Sequence, residues 1–103
     1  MAEPRLMVLD EPCEGLDMAS RESFLSGLAP LLRRRSPAFI EVTHRTEDVP
    51  PGFTHALLLR EGRVLASGRL GSTLTSANLS GCLGIEVELK RWGGRYYMTP
   101  RGG

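Results

Sequence analysis

Cysteine is scarce in this chain: Cys13 and Cys82 are the only two, far apart and in no CxxC spacing. That excludes a disulfide-stapled scaffold and gives no zinc-site pattern, even when His44 and His55 are added to the count. Two structural thiols are expected. No apolar run approaches the roughly 20 residues that cross a bilayer, and the N-terminus shows no signal-peptide pattern, so a cytoplasmic location is expected. Charge of one sign is also missing. Thirteen basic residues face twelve acidic ones, which removes the electrostatic argument for nucleic acid or an anionic membrane as a partner. Lys90 is the single lysine, and no GxxxxGK[ST] phosphate loop occurs anywhere in the 103 residues.

The remaining residues are those of an ordinary small globular unit, 41% apolar and 24% charged. A chain of this length buries a modest core, as one small domain or part of a larger one. Its most informative stretch is Leu6-Met7-Val8-Leu9-Asp10-Glu11-Pro12. Four consecutive apolar residues read as a strand buried on both faces, as in a parallel sheet. Two acids then stand where that strand emerges, the edge at which open α/β sheets bind ligands.

Cys13 to Leu16 reads as a loop in which Gly15 takes positive φ, and Asp17 as the N-cap of a helix from Met18 to about Arg35. Phe24, Leu25, Leu28, Leu31 and Leu32 fall on one face of it. Pro30 should kink the helix, Arg33, Arg34 and Arg35 suit its C-terminal dipole, and Ser36-Pro37 ends it. A second apolar strand, Ala38 to Thr43, runs into His44. Strand, helix, strand at this spacing is a βαβ unit with parallel strands and a right-handed crossover. Parallel strands share a carboxyl end, so Asp10, Glu11 and His44 should emerge on one sheet edge.

Arg45 to Gly52 reads as a loop with at most one helical turn. Ala56-Leu57-Leu58-Leu59-Arg60 and Arg63-Val64-Leu65-Ala66-Ser67 flank Glu61-Gly62 and read as a hairpin. A turn and short helix should occupy Leu70 to about Leu83. Ile85 to Leu89 and Arg95 to Met98, across Gly93-Gly94, form a second hairpin. Arg101-Gly102-Gly103 is expected to fray. His55 carries no evident chemistry.

These residues resemble the ATP-binding-cassette (ABC) ATPases. Leu6 to Pro12 is similar to their Walker B motif, Cys13-Glu14-Gly15-Leu16-Asp17 to the D-loop, and Val42-Thr43-His44 to the switch-histidine loop. Leu59-Arg60-Glu61-Gly62-Arg63-Val64, with Gly68 after it, is similar to the usual continuation. The resemblance covers Arg5 to Gly68 in the right order. It implies a partial P-loop-NTPase-like α/β sheet over residues 1–70, followed by a helix-and-hairpin extension over 71–103. It implies that Asp10 holds Mg2+ and contributes with Asp17 to the ATP site, that Glu11 is the general base, and that His44 contacts the γ-phosphate. Asp17 and its loop would lie at the interface with a second ATPase subunit. The implied partners are that subunit and a membrane permease, with peripheral membrane association through the permease, no nucleic acid and no direct membrane insertion. The tail resembles the molybdenum-transport or photorepair subgroup.

The departures from the family are as informative. The phosphate loop, the glutamine loop and the signature loop are all missing from this sequence. Leu79-Ser80-Gly81 looks like a signature motif but follows His44, and is read as part of a C-terminal helix. Ala2-Glu3-Pro4-Arg5 resembles the lead-in to Walker B, which would put Met1 inside a family domain. The chain alone is therefore expected neither to bind ATP tightly nor to hydrolyse it. Three readings stay open: the C-terminal half of a transport ATPase, an ABC ATPase working without a permease, and a non-catalytic module that pairs with another ATPase subunit.

Overall fold

The computed structural model describes residues 5–34 and 37–102. The lead-in at residues 1–4, the end of the arginine run at Arg35, Ser36 in the helix terminator and Gly103 lie outside the described residues. The chain is mixed α/β and forms two compact units, 1–52 and 53–103.

The first unit is the βαβ element. Strand β1 (Leu6–Asp10) pairs in parallel with β2 (Ala38–Val42), in a register running from Leu6↔Ala38 to Asp10↔Val42. Helix α1 (Met18–Arg33) joins them. Asp17 caps it as expected: its Oδ1 accepts from the Ser20 backbone N–H at 2.7 Å. Gly15 has φ +82°, which lets the preceding loop turn into that cap. The helix continues through Pro30 and closes at Arg34, whose N–H donates to Leu31 O at 3.1 Å. Leu25 and Leu28 from the apolar stripe, together with Cys13, lie buried in this unit.

One expectation needs correction. The strands are not covered on both faces within the described residues. Leu6, Val8, Ile40 and Val42, which share one face by alternation and register, remain 48–59% exposed. The opposite face carries Leu9, Phe39 and Glu41, all half-buried. Apolar runs on this pair are long enough for two-sided burial, and the described residues of this unit cover one side.

In the second unit, β3 (His55–Arg60) and β4 (Arg63–Arg69) form an antiparallel hairpin with a register shift after Leu58. Glu61 and Gly62 at its turn have φ +51° and +75°, the two left-handed positions of a type I′ turn. Two short helices follow, α2 (Leu70–Thr73) and α3 (Ser76–Leu83), the latter capped by the Thr75 side chain and closed by Gly84 in the left-handed region. A second antiparallel hairpin, β5 (Val87–Trp92) and β6 (Arg95–Pro100), ends the fold. Leu74, Leu79, Val87 and Tyr96 make the core of this unit, with Ala56, Leu58, Leu70, Leu89 and Met98 packed against it. Leu79 is thus a core residue of α3, which accounts for the signature-like Leu79-Ser80-Gly81 without any ligand.

Candidate functional site at the strand ends

The carboxyl ends of β1 and β2 are tied together immediately beyond the sheet. The Glu11 N–H donates to Val42 O at 2.7 Å, extending the parallel ladder by one bond. Glu11 then takes φ +49°, an uncommon conformation for a side chain with Cβ. Its Oε1 lies 2.7 Å from His44 Nδ1, across 33 residues of sequence. On the other strand, the Arg45 N–H donates to Thr43 Oγ1 at 3.1 Å, and the Arg45 guanidinium reaches Glu47 at 3.3 Å. These local bonds shape the loop that carries His44.

The Glu11 side chain is 25% exposed and that of His44 73%. A carboxylate can only accept, so the contact puts a proton on Nδ1 and leaves Nε2 as the free ring nitrogen. Asp10 ends β1 in an exposed position opposite Val42, on the strand face shared with Leu6 and Val8. Asp17 lies a loop away at the start of α1. Its carboxyl is held below the ordinary value, first by the hydrogen bond from the Ser20 backbone and then by the Ser20 side chain.

The site residues named from the sequence therefore divide into three. Glu11 and His44 are in direct contact, Asp10 adjoins Glu11 in the chain, and Asp17 is engaged in capping. Among the described residues there is no cluster of three or more His, Cys, Asp or Glu side chains able to hold a metal by themselves. Cys13 is buried and Cys82 half-buried, neither in a disulfide, and the Cys82 Sγ–H donates to Leu59 O. His55 bonds to Thr54 Oγ1 at 2.9 Å.

The sequence reading passed over a second polar cluster. Glu41, next to last in β2, has both carboxylate oxygens shielded from solvent without a hydrogen-bond partner. Asp48 and Thr46, in a single turn of 3-10 helix (Thr46–Asp48), are buried. The Arg21 Nε of α1 lies 3.8 Å from Asp48 Oδ1, close enough to attract and too far to bond. Burial, then Asp48 and then Glu11 push the Glu41 carboxyl up from 4.5 to about 7. The signal that could have found it was an acid at an inward position of an otherwise apolar strand.

Comparison with known proteins places the chain in a family. No family model matches the chain. An uncharacterised ABC transporter ATP-binding protein of Lactococcus lactis, YmeB, is 33% identical over 99 residues, covering 95% of this chain and 38% of that protein. YlmA of Bacillus subtilis, also an uncharacterised ABC transporter ATP-binding protein, is 41% identical over 81 residues. The chain belongs with the ABC transporter ATP-binding proteins. The molybdenum import ATP-binding protein ModC of Pseudomonas savastanoi is 36% identical over 92 residues. A solved ABC transporter of metal-chelate type, in an inward-facing conformation, superposes with a TM-score of 0.76 at 25% identity, over 93% of this chain and 39% of the solved one. The chain spans between a quarter and two fifths of the length of these ABC relatives. Among its described residues, no helix is long and apolar enough to cross a membrane.

Proposed function

We propose that this chain supplies the magnesium-holding, water-activating and phosphate-sensing part of an ABC-type ATPase site, within a subunit that energises transport. The observation that carries the reading is the 2.7 Å contact between Glu11 and His44 at the shared ends of two parallel strands. It joins a base candidate to a group able to meet a phosphate, in a chain whose relatives are ATP-binding proteins.

The donor set fits a magnesium nucleotide. Mg2+ keeps most of its water and takes one or two protein carboxylates together with phosphate oxygens, so a single exposed carboxylate at the strand end, Asp10, is the contribution expected of the protein. When bound, the ion draws negative charge off the phosphates. Glu11 offers one oxygen to His44 and leaves Oε2 to accept a proton from water. Because His44 Nδ1 is spent on Glu11, only Nε2 is left for a phosphate oxygen. That contact needs a proton on Nε2 as well, and therefore an imidazolium. Asp17, held in the loop before α1, would face the second subunit.

What these residues do not provide is a cradle of backbone N–H groups and a lysine for the β- and γ-phosphates. Residues 1–70 would complete such a site and residues 71–103 extend it, in the cytoplasm and at the membrane through a permease. The similarity to molybdenum import proteins supports the transport reading and that subgroup. Titration of the purified chain with Mg-ATP should show no micromolar binding; a micromolar Kd would overturn the division of labour proposed here. In a full-length relative, Gln at the position of Glu11 should leave nucleotide binding intact and remove most turnover. Undiminished hydrolysis would refute the assignment of the base. Co-purification with a membrane protein would separate transport from a permease-free ATPase, and a stable heterodimer without turnover would favour the interaction module.

A further inference from the structure

Glu41 takes no part in the chemistry proposed for the strand ends, yet its backbone is tied to the residues that do. It pairs across the sheet with Leu9, two residues before Glu11, and the carbonyl of the next residue, Val42, accepts from the Glu11 N–H at 2.7 Å. Asp10, the candidate magnesium carboxylate, pairs with Val42 and so falls on the opposite strand face. Glu11 in turn meets His44, three residues beyond Glu41. Exposure rises along the three side chains. Both Glu41 carboxylate oxygens are shielded from solvent, the Glu11 side chain is 25% exposed and that of His44 73%. Glu11 is the intermediate member, with its partner ring on the more exposed side.

The charged groups that face Glu41 are Asp48, from the 3-10 turn, and Glu11, from the end of β1, both acidic. Arg21 of α1 is the cation beside this cluster, and it lies 3.8 Å from Asp48. No hydrogen bond reaches either Glu41 oxygen. A charge on Glu41 is therefore poorly solvated and meets like charge from two elements. Under those conditions a carboxyl keeps its proton to higher pH, here to about 7. Proton loss at Glu41 then repels the Glu11 carboxylate, which yields toward its more exposed side, where His44 Nδ1 stands at 2.7 Å.

We infer that Glu41 is a positioning residue worked by its own proton: ionised, it presses the Glu11 carboxylate against His44, and protonated, it relaxes that contact. The effect acts through Glu11 and needs no nucleotide. What it would govern in hydrolysis, the placement of the base candidate, rests on the ATPase reading. Coupling between two sites is reciprocal, so the Glu11–His44 contact must favour proton loss from Glu41 by the same factor. A coupling of about 0.5 pH unit is about a threefold factor.

Nuclear magnetic resonance on the full chain, labelled with carbon-13 and nitrogen-15, tests this. The Glu41 carboxyl carbon should titrate with a midpoint of about 7. Glu11→Gln removes a facing charge and should lower that midpoint by roughly 0.5 pH unit, while His44→Gln removes the contact and should raise it by about as much. The His44 ring reports the contact directly, because its nitrogen shifts show which nitrogen carries the proton. Glu41→Gln fixes the uncharged form. At pH 8 it should move the balance of the His44 proton about threefold from Nδ1 toward Nε2. At pH 5, where Glu41 is protonated, the unaltered and variant chains should give the same ring shifts. A Glu41 midpoint unmoved by both Glu11→Gln and His44→Gln, or moved the same way by both, would overturn the inference. So would identical His44 shifts at pH 8, which would leave Glu41 a sheltered acid without influence on the site. A difference as large at pH 5 as at pH 8 would mark a packing effect and overturn it equally. Micromolar Mg-ATP binding would overturn the proposed division of labour and leave these shifts intact, so the two readings fail separately.

Discussion

Replacing Glu41 by glutamine should make the chain more stable at pH 8 and leave its stability nearly unchanged at pH 5. The carboxyl lies inward on β2, with neither oxygen hydrogen-bonded and with Asp48 and Glu11 adding negative charge nearby. Burial first, and those two acids second, raise it from 4.5 to about 7. A carboxyl raised in the folded state holds its proton more tightly there than in the unfolded chain. The folded state therefore loses stability as pH rises from about 4.5 to about 7. At 1.36 kcal/mol per pH unit the full effect would be about 3 kcal/mol. The residue's surroundings are only partly buried and screen the charge, so about 1–2 kcal/mol is the expected remainder. Urea unfolding of both forms at pH 5 and pH 8 isolates the contribution, because every other titrating group is common to the two. The reasoning fails if the stability difference is the same at both pH values, or if the unaltered chain is the more stable at pH 8.

Three further changes test other parts of the fold. Asp17→Ala removes the side-chain cap on α1 and should lower the melting temperature by about 4–8 °C, with a loss of helical circular dichroism. The unaltered cap should itself weaken on acidification, because a carboxyl held below its ordinary value stabilises above the unfolded pKa and loses that effect as pH falls through the folded one. Leu25, 2% exposed, is the most deeply buried apolar side chain among the described residues, and Leu25→Ala should cost about 2–5 kcal/mol in denaturant titration, enough to unfold the first unit of a marginal chain. Glu61→Asn should stabilise the first hairpin by about 0.5 kcal/mol, since asparagine accepts the left-handed φ of +51° more readily than glutamate; an unchanged or lower unfolding midpoint would count against the turn assignment.

What was legible in the sequence was local or periodic. Glu61-Gly62 and Gly93-Gly94 specify their hairpins through the φ values that such turns require, and Asp17 declares a helix start because its oxygen reaches a backbone N–H three residues on. The alternation of apolar runs with one amphipathic helix was enough to make β1 and β2 parallel and to send Asp10, Glu11 and His44 to one edge. The motif order Asp10-Glu11, Asp17, His44 was enough to name the family from a chain spanning only part of its ABC relatives.

Other features required the third dimension. Which of the two acids meets the histidine was undecided until Glu11 turned to φ +49° and met His44, while Asp10 stayed at the exposed end of its strand. In the sequence Glu41 is one acid in an apolar strand; its approach to Asp48 and Glu11 depends on register and on the fold of the loop after β2, neither of which has a local signature. Long-range pairing decides such contacts, because residues distant in sequence acquire distances only when strands align. By itself, then, the sequence determined the elements, their order and the family. Tertiary structure decided which carboxylate holds the histidine, which acid is starved of water, and which apolar face the described residues of the first unit leave uncovered.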